Sequence, residues 1–374
     1  MSNYDVCIIG AGIMGSTTAL FQARSGKKVL LVDKSEIFRS ASGVNAGTLT
    51  MHMTRAQLIP YSLKGWEMWM TTEKWLSKNI EVKQQQGLCL AFNDAEEQLL
   101  IERSKKRKEM GAPIEILSAA EALKKESSIT QKIKCAAYCE LDGYVQANQT
   151  GRAYKEALDQ SGVEIQEHSE VVEIKNDKFF EISLLKHNEK KVIKSQKLII
   201  AAGVWTGHLL KMLNITIELK CLPQQLIITE RHSKILNSVI TVANGKLSLK
   251  QFENGTTLIG GGWPGKGNVN ENYSSTTPEN LIGNLRLACY AIPELKKNRA
   301  ARVWLGLEAE TTDAMPIIGQ VPNIQGLYVI ASVHSGYTSG PYMGYLLSKF
   351  INEEDIDLNL FNIERLLPEY AQQI

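Results

Sequence analysis

Residues 8–16 read IIGAGIMGS, where Gly10, Gly12 and Gly15 form a Gly-x-Gly-x-x-Gly run directly behind a short apolar segment. That spacing suits a phosphate cradle. Gly10 permits a tight turn, Gly12 lets a pyrophosphate approach backbone N–H groups, and Gly15 lets a helix pack closely on its strand. The N-terminus of the helix that follows adds partial positive charge. Asp33 ends the next apolar run, where its carboxylate would accept hydrogen bonds from ribose hydroxyls; the alternative is a surface acid closing a strand. Three more stretches of small residues are spread along the chain: RSASGVNAGTL at 39–49, Ala201-Ala202-Gly203 behind an apolar run, and HSGYTSGP at 334–341. They fit one extended ligand crossing a domain. The cradle alone does not choose between NAD and FAD, although enzymes of the NAD type usually run straight on into further α/β units.

The elements that must position these turns alternate between strand and helix. YDVCIIG (4–10) and KKVLLVD (27–33) read as strands on either side of a helix from Gly12 to Ser25. A helix is expected from Thr54 to Asn79, with Leu63, Trp66 and Met70 on one stripe. Trp66, Trp69 and Trp75 then pack inside the fold, or, on the other view, face a partner subunit. From Glu81 strands take over. Asp94 is expected to cap a charged helix reaching Met110, with the Lys105–Lys108 patch as its wet face, and Ser118 with Glu121 forms a capping box for another. Helix–strand alternation returns near Asn148. Residues 216–304 read as antiparallel, with a hairpin at Asn254-Gly255 and a helix started by Pro278. The expected fold is therefore α/β. A Rossmann-like nucleotide-binding domain comes from discontinuous segments (1–80, 145–215 and 305–374), and a substrate domain with a mainly antiparallel sheet and flanking helices comes from 81–144 and 216–304.

Composition narrows the class. With 44% apolar and 22% charged residues, the 374-residue chain is that of an ordinary globular protein, and a net charge of +2 gives no pull toward nucleic acid. No run approaches the roughly 18 apolar residues of a spanning helix, so no transmembrane segment is expected, while peripheral membrane contact stays open. The opening strand leaves no room for a cleavable leader. Cys7, Cys89, Cys135, Cys139, Cys221 and Cys289 are scattered, and Cys135 with Cys139 lacks the spacing of a zinc or iron–sulfur site. Reduced thiols, no metal and a cytoplasmic location are the expectation.

These motifs together resemble the D-amino-acid oxidase family of FAD enzymes, which includes glycine oxidase, sarcosine oxidase and D-amino-acid dehydrogenase. The matching stretches are the N-terminal cradle, SASGVNAGTL, IIAAGVWTGHLL, RVWLGLEAETTDAMPIIG and HSGYTSGP. Within the family, LKQFENGTTLIGGG and HSGYTSGP are most similar to the branch holding the hydrogen cyanide synthase and proline or opine dehydrogenase catalytic subunits. The resemblance implies non-covalent FAD, since no cysteine falls where the sarcosine oxidases tether flavin. It assigns Gly10, Gly12, Ile13, Met14, Asp33 and Lys34 to the ADP half. Ser42, Asn45, Ala46 and Gly47 would run along the pyrophosphate toward the flavin ring. Val172 would meet the adenine through its backbone, with Ala202, Gly203 and Trp205 lining the same groove. His334, Gly336, Tyr337 and Thr338 would lie under the pyrimidine edge of the flavin.

The implied reaction is oxidation of the CH–NH bond of a small amino or imino acid, with hydride passing to the flavin and the imine hydrolysing. Electrons would then go to oxygen, a quinone or a partner subunit, in a homo- or hetero-oligomer. The chain departs from the family where a W-x-G-L-R-P motif often supplies an arginine for the substrate carboxylate: Glu308 occupies that position in WLGLEAETTD. A carboxylate there would repel an α-carboxylate and favour an amine, unless Glu308 simply pairs with a neighbour such as Arg302. Arg302 and Arg55 are the remaining arginine candidates, and His52 and Gln251 are candidates for the substrate side. Where sarcosine oxidases carry a lysine near the flavin, the matching register here holds Leu258, which leans toward a dehydrogenase. Two competing readings are a flavin electron-relay subunit inactive on its own and an NAD(P)-dependent dehydrogenase.

Overall fold

The first strand, Tyr4–Ile9, is buried on both faces, as a strand inside a parallel sheet must be. The computed structural model describes residues 3–76, 78, 80–269, 273–332 and 336–367. Tyr4–Ile9 pairs in parallel with Val29–Val32 on one side and with the C-terminal half of Glu189–Ile200 on the other. Glu164–Gln166 and Leu327–Ala331 continue the parallel rows outward, and Ile317–Gln320 adds an antiparallel edge. With the antiparallel pair Glu170–Asn176 and Phe180–Lys186, the sheet has eight strands. They come from three separate stretches of chain, so the discontinuous Rossmann-like assembly is present.

A second sheet of nine strands is antiparallel except where Ser238–Val242 runs beside Val82–Ala91. Its spine is Ala300–Thr311, Leu219–Thr229, Thr257–Gly260 and Ser248–Gln251, and it continues through Val82–Ala91 to Cys135–Val145. Thr48–Leu49 and residues 305–311, expected with the nucleotide-binding part, run in this second sheet instead. The two parts of the fold therefore interlock along the chain.

Two local expectations needed correcting. The helix expected over 54–79 is interrupted: a 3-10 turn at Ala56–Leu58 leads into Ile59–Met70, and a separate turn forms at Thr72–Trp75. Thr71 leaves the helical region (φ −128°, ψ 36°), and its hydroxyl donates to Glu67 O at 2.8 Å. The Met68 carbonyl at the break accepts from Thr71 N at 3.1 Å and from the Trp75 indole N–H at 2.7 Å. The charged helix Asp94–Glu109 is capped by Asn93, whose side chain accepts from Glu96 N, rather than by Asp94. The Ser118–Glu121 capping box forms as expected.

Helix packing sets the position of the last glycine turn. Helix Ile13–Arg24 lies against the C-terminal helix Gly336–Ile351, where the Gln22 amide donates to Ser348 O at 2.9 Å and the Thr18 hydroxyl to Gly344 O at 3.2 Å. Trp66, Trp69 and Trp75 are all buried in the main core, as the packing reading required. The Trp69 indole stacks on Tyr337 (5.6 Å, 2°) and donates to its carbonyl at 2.7 Å. The start of the last helix is thus pinned beside the first.

Candidate active site

The glycine turn behaves as a cradle for reasons visible in its contacts. Gly10 has φ +110°, and a Cβ on Gly15 would lie 2.0 Å from Gly10 O, so a side chain at either position is excluded. Gly12 caps the first helix without a side chain, and the first turn carries no acid. Its leading N–H groups are open to an anion, apart from Ile13 N, which donates to Ser42 Oγ at 3.0 Å. Asp33 Oδ2 accepts from Ala11 N at 2.8 Å, and Oδ1 accepts from Ser35 N at 2.9 Å, which fixes the carboxylate at the rim.

A groove of about 170 Å³ runs from this turn, lined by Gly10, Gly12, Asp33, Lys34, Ala202, Gly203 and Trp205 among others. The Lys34 ammonium sits 3.6 Å from the centre of the Trp205 ring, and burial lowers its pKa. Val172 does not join the groove. It is the extra residue of a bulge between Val171 and Glu173, and its side chain is exposed, whereas Ser169, Glu170 and Val171 form the wall.

Ile13, Met14, Ala41, Ser42 and Leu307 are shared between this groove and a second cavity of about 420 Å³ at the junction of the two sheets. Asn45, Ala46, Gly336 and Tyr337 line the second cavity. Gly47 and Thr338 support it from behind: Gly47 N donates to Asn45 Oδ1 at 2.8 Å, and Thr50 N donates to the Thr338 hydroxyl at 3.2 Å. The Trp304 indole donates to Val44 O at 2.8 Å, tying the strand of Glu308 to this loop. His334 lies outside the described residues.

Two of the substrate-side candidates meet in the cavity and three do not. His52 and Glu308 both line it. The His52 loop is held by a buried carboxylate: Asp142 accepts from the Thr50 hydroxyl at 2.7 Å and from Met51 N at 3.0 Å. Gly87 makes room for Asp142, since a Cβ there would lie 2.0 Å from its Oδ2. His52 N donates to the Thr50 hydroxyl at 3.1 Å, and Nε2 lies 3.4 Å from Gly87 O, while Nδ1 is buried without a partner among the described residues. Burial lowers the His52 pKa, with Asp142 acting in the opposite sense and Arg107 reinforcing it, so the imidazole is neutral near pH 7.

Gln251 faces away from the cavity. Its carbonyl accepts from Ile235 N and Leu236 N, and its amide donates to Ser233 O, so it braces a loop. Arg302 is exposed, over the Trp304 ring. It shares a strand with Glu308 but lies six residues away, or roughly 20 Å at about 3.3 Å per residue, which excludes a direct pair between them. Arg55 is engaged by Glu310 at 3.6 Å and is not on the cavity wall.

Three cavity cations escaped the sequence reading: Lys250, Arg103 and Arg107. Lys250 lies directly across the ladder from Leu258, with its side chain on the face opposite to Gln251. Lys250 and Gln251 are neighbours on one strand, so alternation sends them to opposite faces, and Gln251 alone was named from the sequence. Lys250 is completely buried, burial pushes its pKa down to about 7, and its Nζ donates to the Thr48 hydroxyl at 2.6 Å. Among the described residues, no group of three or more His, Cys, Asp or Glu could hold a metal ion, and the six cysteines are free thiols.

A cradle, a groove and a connected cavity make a continuous trough for an extended dinucleotide, and a family model decides which one. The model for FAD-dependent oxidoreductases of the DAO family matches residues 5–350. The chain belongs to this family. FAD, not NAD, is therefore its cofactor, and the residues present fit it: open N–H groups at the first helix, a rim carboxylate and a cavity beyond. This FAD-dependent oxidoreductase is 22% identical over 373 residues to the glycine oxidase of Geobacillus kaustophilus, covering 97% of each chain. A crystal structure of glycine oxidase from that organism superposes with a TM-score of 0.87 at 21% identity, covering 96% of this chain and 98% of the other. Hydrogen cyanide synthase subunit HcnC of Pseudomonas protegens is 25% identical over 404 residues, covering 96% of this chain and 95% of the relative. An opine oxidase subunit of Rhizobium meliloti is 24% identical over 387 residues, covering all of both chains. No helix among the described residues of this oxidoreductase is long and apolar enough to cross a membrane.

Proposed function

We propose that this flavoenzyme oxidises the CH–NH bond of a small amino or imino acid to an imine, which water then hydrolyses. The observation that carries the reading is Lys250, a buried lysine with a pKa near 7 on the wall of the cavity that continues the FAD trough. Amino-acid nitrogens reach the enzyme largely as ammonium, and only the neutral amine has a lone pair to expel hydride. Lys250, held by the Thr48 hydroxyl, is poised to accept that proton. Glu308 on the cavity wall favours a nitrogen cation over an α-carboxylate. Bound FAD supplies the acceptor for hydride from the carbon next to nitrogen. The apolar walls around Leu226, Leu258 and Leu307 exclude water and so strengthen each polar contact.

Gly10, Gly12, Ile13, Met14, Asp33 and Lys34 would hold the ADP half, and Ser42, Asn45, Ala46, Gly336 and Tyr337 the flavin half. Cys89, the cysteine on the described cavity wall, is buried with its pKa pushed up to about 11. A protonated thiol is a poor nucleophile, which supports a non-covalent cofactor that acid precipitation releases. The test is anaerobic bleaching of the flavin by a panel of D-amino acids, N-methylated amino acids, proline and N-carboxyalkyl amino acids. Bleaching by one class supports the reading, and no bleaching across the panel overturns it. A second reading is an electron-relay subunit that needs a partner. It draws on the two relatives whose names mark them as subunits, and it requires that substrate bleach the flavin only when a partner chain is added.

A further inference from the structure

The cavity wall carries more positive charge than a simple amino acid requires. Arg103 and Arg107 lie on helix Asp94–Glu109, one turn apart, so both side chains reach the same wall. Arg107 is nine-tenths buried, and its Nε donates to Thr54 O at 2.7 Å. Arg103 Nη1 donates to Ala243 O at 3.0 Å. These bonds fix both guanidinium groups and leave the two terminal nitrogens of Arg107, and Nε and Nη2 of Arg103, without an acceptor among the described residues. Neither arginine forms an ion pair among the described residues. The nearby Asp142 is already occupied by Thr50 and Met51.

Like charges one helical turn apart destabilise a helix, and an arginine buried without an anion costs several times more. Burial lowers the pKa of Arg107 and Arg103 adds to this, while Cys89 and Asp142 act in the opposite sense; Arg107 in turn lowers that of His52, whose Nδ1 has no partner among the described residues. An anion between Arg103, Arg107 and His52 would relieve all three. On the described wall, Lys250 becomes an ammonium once it takes the substrate's proton and then faces one carboxylate, which leaves the arginine pair for another. We infer that Arg103 and Arg107 form a second anion subsite, so that the substrate is an amino or imino acid carrying a second carboxylate on its side chain or nitrogen substituent. The substrate class rests on the CH–NH reading above, whereas the subsite itself does not.

The test uses the FAD-loaded enzyme and two ligands that cannot be oxidised at a CH–NH bond, glutarate and butyrate, titrated by calorimetry. Glutarate is expected to bind at least about tenfold more tightly than butyrate, from the charge-assisted bonds of one extra carboxylate. Arg103→Gln and Arg107→Gln should each remove most of that preference, and Arg107→Lys should restore part of it. Equal affinity for the two acids in the unaltered enzyme overturns the proposal, as does equal weakening of both by Arg103→Gln. Arg103 is an exposed residue although its side chain reaches the cavity wall, so that variant decides the matter even where Arg107→Gln fails to fold. Anaerobic bleaching by iminodiacetate and glycine separates the two readings. Glutarate preference with no bleaching by any amino acid refutes the oxidation and keeps the subsite, and bleaching by glycine with no glutarate preference does the reverse.

Discussion

Replacing Lys250 by Met removes an amine from a site where charge is costly, and the cost can be worked out. The fall in pKa from 10.5 to about 7, at about 1.36 kcal/mol for each pH unit, is a penalty of roughly 4–5 kcal/mol on the folded state. The lost bond to the Thr48 hydroxyl, about 1 kcal/mol, leaves a net gain of roughly 3–4 kcal/mol for the Met variant at low pH. The sign follows from proton binding. Below about pH 7 the lysine is charged both folded and unfolded, and the whole penalty is present. Between about 7 and 10.5 the unfolded chain holds a proton that the folded chain lacks, so the penalty falls steadily across the window, by about 1.36 kcal/mol for each pH unit. 

The stability of the unaltered protein therefore rises with pH across that window, and above 10.5 both forms are neutral and the penalty is gone. Urea unfolding of both proteins at matched FAD, at about pH 6 and about pH 9, should show the advantage shrinking to roughly 1 kcal/mol at the higher pH. An advantage that does not change with pH, or a Met variant less stable at both, refutes the buried, proton-poor lysine. The same variant should lose the rise in anaerobic flavin reduction rate through about pH 7 that a lysine base of this pKa produces.

Other outcomes follow from the same geometry. Gly15→Ala places a methyl group 2.0 Å from Gly10 O and should yield protein that retains little FAD, measured as flavin absorbance per chain after gel filtration. Asp142→Asn keeps one acceptor for the His52 loop and loses the other. It should cost about 1–3 kcal/mol in thermal or urea unfolding, the penalty for a buried donor left unsatisfied. Arg302→Ala should leave kcat/KM within about twofold, because the side chain is exposed roughly 20 Å along the strand from Glu308. Glu308→Arg should raise the affinity for simple α-amino carboxylates, read as a drop in KM for glycine or D-alanine relative to their N-substituted forms. Unchanged selectivity would remove Glu308 from the substrate wall.

How much of the site could be read in advance depended on whether its parts are neighbours in the chain. The cradle is contiguous: strand, three glycines and a helix N-terminus follow one another, and the geometry that binds a pyrophosphate is set by backbone sterics at those residues. Asp33 belongs to the same unit, one strand on. Val172, assigned a backbone contact by the resemblance, sits at a single-residue bulge with its side chain outward, and Val171 and its neighbours form the groove wall. A bulge depends on pairing with another strand, which no local pattern records.

The charged cavity depended on tertiary structure throughout. The segment around Lys105–Lys108 reads as a wet helix face, and Lys105, Lys106 and Lys108 are exposed, yet Arg107 in their midst is buried against Thr54. Strand alternation in KLSLKQ required Lys250 and Gln251 to face opposite ways, but which one met the cavity was decided by the sheet packed behind it. Sequence by itself determined the FAD family and the discontinuous α/β frame, because these rest on short-range backbone geometry and on motifs spread in order along the chain. Only the tertiary structure decided which cations share the second cavity. Lys250, His52, Glu308 and the Arg103–Arg107 pair come from separate segments of the chain, and the charge balance of a buried space exists only once its walls have closed.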